Sequence, residues 1–201
     1  MADVFEVLPD GHRSASKMCA ARFRLWSLIE VTPHLDWLLL TKRPENHKLV
    51  PLAWQTGSRR PPNVWLGVTA ENQEQVDKRI PHLINAIWPA VRFVSYEPAL
   101  ELIRIQPKSF THEYFDYGDG IISKRIYDGI DWLICGAESG HGARPMSEDW
   151  VRSIRDQCAT AEIPFFYKQK IDSGKKVSLP LLDGVRHAAF PSAFPSVLFP
   201  K

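Results

Sequence analysis

The sequence predicts an α/β fold, a parallel sheet of about five to six strands with flanking helices. Three observations predict it. Five stretches share one design, in which a few consecutive aliphatic, β-branched or aromatic residues break abruptly into charged or amide residues: Asp36-Trp-Leu-Leu-Leu-Thr-Lys-Arg-Pro44, Asn63-Val-Trp-Leu-Gly-Val-Thr-Ala-Glu-Asn72, Val91-Arg-Phe-Val-Ser-Tyr-Glu-Pro98, Asp131-Trp-Leu-Ile-Cys-Gly-Ala-Glu-Ser-Gly140 and Pro164-Phe-Phe-Tyr-Lys-Gln169. The runs are apolar throughout rather than alternating, which marks strands buried on both faces. The intervals between them are those of a strand plus a returning helix, which makes neighbouring strands parallel.

Along the chain, residues 1–13 read as loop. Ser14 or Ser16 caps a helix running to about Glu30, with Met18, Ala21, Leu25, Leu28 and Ile29 on one face and Thr32-Pro33 as its stop. A strand over 37–40 is followed by a short helix over 46–52, then by a loop over 55–62 rich in Gly, Arg and Pro, expected at the bottom of the sheet. The strand over 64–68 leads to a helix over 72–88, capped by Thr69 and favoured by Glu71 at its positive end, with Val76, Ile80, Leu83, Ile84 and Ile87 facing the sheet. A strand over 91–94 precedes an interruption at 104–129, whose polar, aromatic and turn-forming residues read as an inserted loop or hairpin in the position of a lid. His112, Glu113 and Asp116 within it lack metal-ligand spacing. The strand over 132–135 is followed by a helix from Ser147 to about Ala161, with Trp150, Val151, Ile154 and Cys158 inward, and by a last strand over 164–167. From 174 to 201 the chain reads as a tail that crosses the sheet edge or covers apolar surface.

Composition excludes several classes of function. With 201 residues and 44% hydrophobic content, the chain suits one domain with one substantial core. A net charge of +2 gives no basis for bulk phosphate tracking. A basic aromatic surface made by Lys42, Arg43, Arg59, Arg60 and the tryptophans is accordingly the weakest reading. No secretory segment and no bilayer-length apolar run occurs, so a cytoplasmic protein without membrane contact is the expectation. The three cysteines, Cys19, Cys135 and Cys158, lie far apart with no Cys-x-x-Cys spacing; they announce neither a disulfide framework nor a metal site.

Ligands of parallel α/β folds sit at the carboxyl ends of the strands. Five strand ends bring Lys42, Arg43, Thr69, Glu71, Asn72, Ser95, Glu97, Glu138, Ser139, Arg144, Lys168 and Gln169 to one rim. Glu97 is the sharpest candidate. A carboxylate closing a buried strand needs a cation, a donor cluster or a ligand, and Arg144 and Lys168 are its candidate partners. Gly136 and Gly140 permit close backbone approach, while Glu138 offers an acceptor and Arg144 a fork of donors.

At Leu40-Thr-Lys-Arg-Pro-Glu45, Asn63 to Asn72, Arg92-Phe-Val-Ser-Tyr-Glu-Pro98, Gly136-Ala-Glu-Ser-Gly140 with Ala143-Arg-Pro-Met146, and Phe165-Phe-Tyr-Lys-Gln169, the chain resembles a phage and bacterial family named after phage gene products thirty-seven and sixty-eight. The resemblance covers nearly the whole chain. It implies a radical S-adenosylmethionine (SAM) type of fold, a partial (β/α) barrel, with SAM as ligand. It also places a cluster-binding cysteine motif after the family's first strand. Here Met1-Ala-Asp-Val-Phe-Glu resembles the loop after the family's second strand, so that motif and the first two strands are expected to be absent, and no iron–sulfur cluster is expected within the chain.

Two functions compete. One is a radical-SAM-like domain that retains a rim for SAM or a nucleotide-like ligand: Glu138 with the Gly136 and Gly140 backbone would hold an amino or carboxylate group, Arg144 and Lys168 an anion, and Asn72 or Gln169 hydroxyls or a base edge. The other is a non-catalytic interaction or inhibitor protein of phage type, acting through an exposed sheet edge that pairs with a second copy or a protein partner.

Overall fold

A computed structural model describes residues 3–9, 11–105 and 129–191. Helix α1 (Ala15–Val31) precedes strand β1 (Trp37–Thr41); a 3-10 turn at Pro44–Asn46 and the short helix α2 (Leu52–Gln55) lead to β2 (Val64–Thr69). Then follow α3 (Gln73–Ile84), β3 (Val91–Tyr96), β4 (Trp132–Gly136), α4 (Glu148–Thr160) and β5 (Phe165–Asp172). Strands β6 (Lys175–Ser178), β7 (Leu181–Leu182) and β8 (Val185–Arg186) close the described chain.

The main sheet has the order β1-β2-β3-β4-β5-β6 and curls into a half-barrel. Strands β1 to β5 are parallel, as expected. The sheet as a whole is mixed, because β5 runs past Lys168 to Asp172 and turns back antiparallel into β6, with Lys170 opposite Val177. Ser173 and Gly174 both adopt positive φ at that turn. The stretch from 174 therefore adds β6 to the sheet and β7 with β8 as a separate two-stranded ribbon, and its next residues pair with the start of β5: Tyr167 N–H donates to the His187 carbonyl and Ala189 N–H to that of Phe165.

Parallel strands in sequential order carry their crossovers on the same side, and the core reflects this. One large cluster joins the helices to one face of the sheet: Trp26 and Ile29 of α1, Trp54 of α2, Val76 and Leu83 of α3 and Ile154 of α4 pack with Leu66, Val94, Leu133 and Tyr167. On the opposite, concave face a second cluster of Trp65, Val91, Phe93 and Trp132 is joined by Ile134 and Phe166. Its rings meet edge-on, with Trp65 and Trp132 centroids 5.8 Å apart at 89° and Trp132 and Phe166 at 5.8 Å and 77°. Phe190 lies 5.2 Å from Trp132, so the segment after β8 reaches this face too.

Several local expectations change. The face of α1 that is buried is Trp26 and Ile29, whereas Leu28 is 41% exposed, because an aromatic group of Phe5, Trp26, Trp54 and Trp88 decides how the helix docks. The helix expected at 46–52 is split by Pro51, which stands as N-cap of α2. Helix α3 starts one turn later than Thr69 allows: Asn72 is its N-cap and accepts the Gln75 N–H at 3.0 Å. It ends at Ile84, and Trp88 turns back into the core with its ring N–H on the His47 carbonyl. In α4, Ser147 caps as expected and Val151, Ile154 and Cys158 are buried, while Trp150 is half-buried. The expected insertion at 104–129, with His112, Glu113 and Asp116, lies almost entirely outside the described residues.

Gly67 is required by packing. A Cβ there would stand 2.2 Å from the Phe93 ring, which lies across the glycine and is held against Trp132. Gly67→Ala is expected to lower stability by about 1–3 kcal/mol, the usual cost of overpacking a filled core. An unchanged urea midpoint would show that the ring is not wedged over this position.

Candidate functional site at the carboxyl rim of the sheet

Side chains alternate across a strand, so every second residue of β1 to β5 faces the concave side. The strand register stacks these residues in tilted layers. Trp65 pairs with Val91 and Phe93 with Trp132 near the floor; Thr69 pairs with Ser95, and Ser95 with Ile134, nearer the mouth. Continuing the same period past the strand ends places Lys42, Glu71, Glu97 and Glu138 above them. The layers therefore change from aromatic to hydroxyl to charged within one strand length.

Glu97 and Lys168 meet across this mouth. Lys168 Nζ donates to Glu97 Oε2 at 3.1 Å, and Ser95 Oγ donates to the same oxygen at 3.1 Å. The Glu97 side chain is only 14% exposed, while that of Lys168 is 51% exposed, so the acid is fixed and the base is accessible. Gly136 lies beneath: a Cβ there would fall 2.6 Å from Glu97 Oε1. The carboxylate occupies the space that any side chain at 136 would take.

A second charged group stands over β1 and β2. Arg79 donates to Glu71 Oε2 at 2.8 Å and to the Thr69 carbonyl at 2.7 Å, and Lys42 Nζ lies 3.6 Å from Glu71 Oε1. Burial alone would raise the Glu71 carboxyl, but its own backbone N–H, Arg79 and Lys42 outweigh burial and hold it below the usual carboxylate range. The third group is the fork of Arg144 on Glu138, with Nε and Nη2 each at 2.7 Å and the Arg144 backbone N–H at 2.9 Å. These hydrogen bonds hold the Glu138 carboxyl at about 2. Arg144 is raised in turn, chiefly by its hydrogen bonds to Glu138, with burial opposing and the charge of Glu71 adding to the rise.

The predicted residues thus divide. Ser95, Glu97 and Lys168 form one contact group, Lys42 and Glu71 a second, Glu138 and Arg144 a third. Of the two partners expected for Glu97, Lys168 is the one it has; Arg144 is taken by Glu138. Three residues do structural work instead. Asn72 caps α3. Gln169 is buried and donates to the Ala137 carbonyl at 2.8 Å, tying the strand to the loop where the β4–β5 register shifts. Thr69 is buried on the concave wall and is not the cap of α3. Arg43 and Ser139 are exposed, and Arg43 uses its backbone N–H on Thr41 Oγ1. Sequence reasoning missed Arg79, whose signal was its place about two helical turns beyond Glu71.

Two clefts flank this arrangement. One of about 110 Å³ lies at the opposite end of the sheet, beside Trp54, Arg59, Arg60 and Asn63. The other, about 440 Å³, opens next to Arg144 between Met146, Glu148, Lys170 and Asp172, and so borders the rim. Among the described residues no helix is long and apolar enough to cross a membrane, and no three His, Cys, Asp or Glu side chains converge as metal ligands.

With the geometry in place, comparison with known proteins gives one match. Residues 11–191 fit a family described as proteins of unknown function, DUF5131. The chain belongs to this family. No curated protein and no solved structure matches it. The DUF5131 match spans every strand of the half-barrel and every charged group of the rim, so the site lies wholly inside the family's shared region.

The Glu138 fork yields a pH prediction. A carboxyl whose folded value is depressed to about 2, from an ordinary 4.5, stabilises the fold at pH values above the ordinary one and loses that contribution as pH falls towards 2. Carbon-detected NMR titration is expected to find the Glu138 midpoint near 2 and to find it back in the ordinary carboxylate range in Arg144→Ala. An ordinary midpoint in the unmodified protein would mean that the fork does not form in solution.

Proposed function

We propose that the chain binds a small polar ligand carrying both an amino group and an anionic group, held across the mouth of the half-barrel, and that SAM, the ligand implied by the radical-SAM resemblance, is of this class. The observation that carries this reading is the Glu97–Lys168 pair over Gly136, with the Ser95 hydroxyl on the acid. A ligand ammonium replaces Lys168 on the largely buried Glu97 carboxylate, and the freed Lys168 takes the ligand's carboxylate or phosphate. Exchange of one charge-assisted contact for another keeps the buried acid partnered throughout. Phe93 and Trp132, 3% and 4% exposed, fill the half-barrel below, so the ligand lies at the mouth and not in the interior.

The thiols do not fit the cluster that radical-SAM chemistry would use. Cys135 and Cys158 are buried in the helix-side core, where burial pushes the Cys158 thiol up to about 12 and the Cys135 thiol well above its ordinary value, and Cys19 is exposed on α1. The proposal is therefore a binding function, with no reaction step assigned.

Isothermal titration against SAM, S-adenosylhomocysteine and ATP tests it. SAM is expected to bind, with Glu97→Gln and Lys168→Met each weakening the affinity by about tenfold to a hundredfold, as loss of a charge-assisted hydrogen bond implies. Gly136→Ala, which intrudes on the Glu97 carboxylate, is expected to weaken it as well. Absence of heat with all of these ligands, or equal affinity in the variants, would overturn the reading.

A further inference from the structure

Strand β1 has only one neighbour among the described residues, β2. The Trp37 N–H donates to the Asn63 carbonyl at 2.8 Å, so Trp37, Leu39 and Thr41 turn their backbone groups towards β2. Asp36, Leu38 and Leu40 turn theirs outward. The upper end of this edge is closed: the Asp3 carboxylate accepts the Lys42 N–H at 2.7 Å and the Thr41 hydroxyl at 2.7 Å. Below that cap, Leu38 and Leu40 are each 47% exposed, in a strand where Leu39 is buried and Trp37 half-buried. Outward backbone groups flanked by bare leucines form a template for strand addition.

We propose that a second copy of this chain occupies the edge, β1 against β1 antiparallel, with Leu38 on the two-fold axis. In that register Leu38 faces Leu38 of the second copy as a hydrogen-bonded pair, and Asp36 faces Leu40. Asp36 then lies diagonal to Lys42 of the second copy on the same face, within reach of opposite charges. The Lys42 side chain is 57% exposed and stands off Glu71 by 3.6 Å, which leaves it free to share that contact. Sliding the pairing towards the carboxyl end would set Asp36 of one copy against Asp3 of the other, two carboxylates at a backbone site already filled. Asp3 thus excludes that shift. The apolar centre with opposite charges at its two ends is complementary to itself, as a two-fold contact requires. The two mouths fall at opposite ends of the joined sheet, each built by one chain.

Sedimentation velocity of the full chain over a broad concentration range tests the pairing. A dimer is expected. Leu38→Pro is expected to give a monomer with unchanged far-UV circular dichroism, since the lost N–H faces outward and belongs to no ladder within the chain. Asp36→Lys is expected to raise the dissociation constant by about fivefold to tenfold, two diagonal charge pairs turning repulsive, and Asp36→Lys with Lys42→Asp to restore it. A monomer at every concentration, a dimer that survives Leu38→Pro, or a charge swap no better than Asp36→Lys alone would each overturn the proposal.

Discussion

Sequential parallel strands constrain everything else in this molecule. When each strand joins the next on the same side, all the helices gather on that side and the sheet curls away from them. The concave face is then left to cover itself. It does so with rings from β2, β3, β4 and β5, closed by Phe190. Those rings fill the interior, and Gly67 exists to let Phe93 lie flat among them. With the interior solid, polar chemistry can collect only where the strands end.

The same alternation that buries the rings builds the mouth. Thr69 and Ser95 are the last concave residues of β2 and β3, and Glu71 and Glu97 are the next two along. Burial removes water from the acids, and each is answered by a cation from another element: Arg79 of α3 for Glu71, Lys168 of β5 for Glu97. Arg144 answers Glu138 within its own loop, where Gly140 and Gly142 adopt positive φ and allow the chain to fold back on itself. Ion pairs of differing exposure therefore ring one opening. The pair whose acid is most buried, Glu97 at 14% exposed against 18% for Glu71 and 30% for Glu138, is the one best suited to exchange partners with a ligand.

Much of this was legible because fully buried parallel strands leave an unmistakable trace. Val64 to Val68 is apolar on both faces and Val91 to Val94 departs from that only at Arg92, and the polar residues that end them had to share a rim. Glu97 was expected to meet Arg144 or Lys168 on that rim, and it meets Lys168. Strand β6 left no such trace, since Lys175, Lys176 and Ser178 are exposed on an outer edge and carry no apolar pattern. Nor did the grouping of Phe5, Trp26, Trp54 and Trp88, whose members come from distant stretches and meet only in the folded core. Gln169 and Asn72 read as ligand groups because amides suit that role. The backbone claimed both first, one for a loop carbonyl and one for a helix end, and backbone groups without water take precedence over chemistry.

Residues far apart in the chain, Glu97 and Lys168, meet above the third and fifth strands. Nuclear Overhauser spectra of the isotope-labelled protein measure this directly. Cross-peaks are expected from the Lys168 ε-methylene to the Glu97 γ-methylene, and from the Ser95 β-methylene to that of Glu97. If Lys168 shows contacts only to its neighbours along β5 and none to Glu97, the strand ends do not form a common mouth and the account fails.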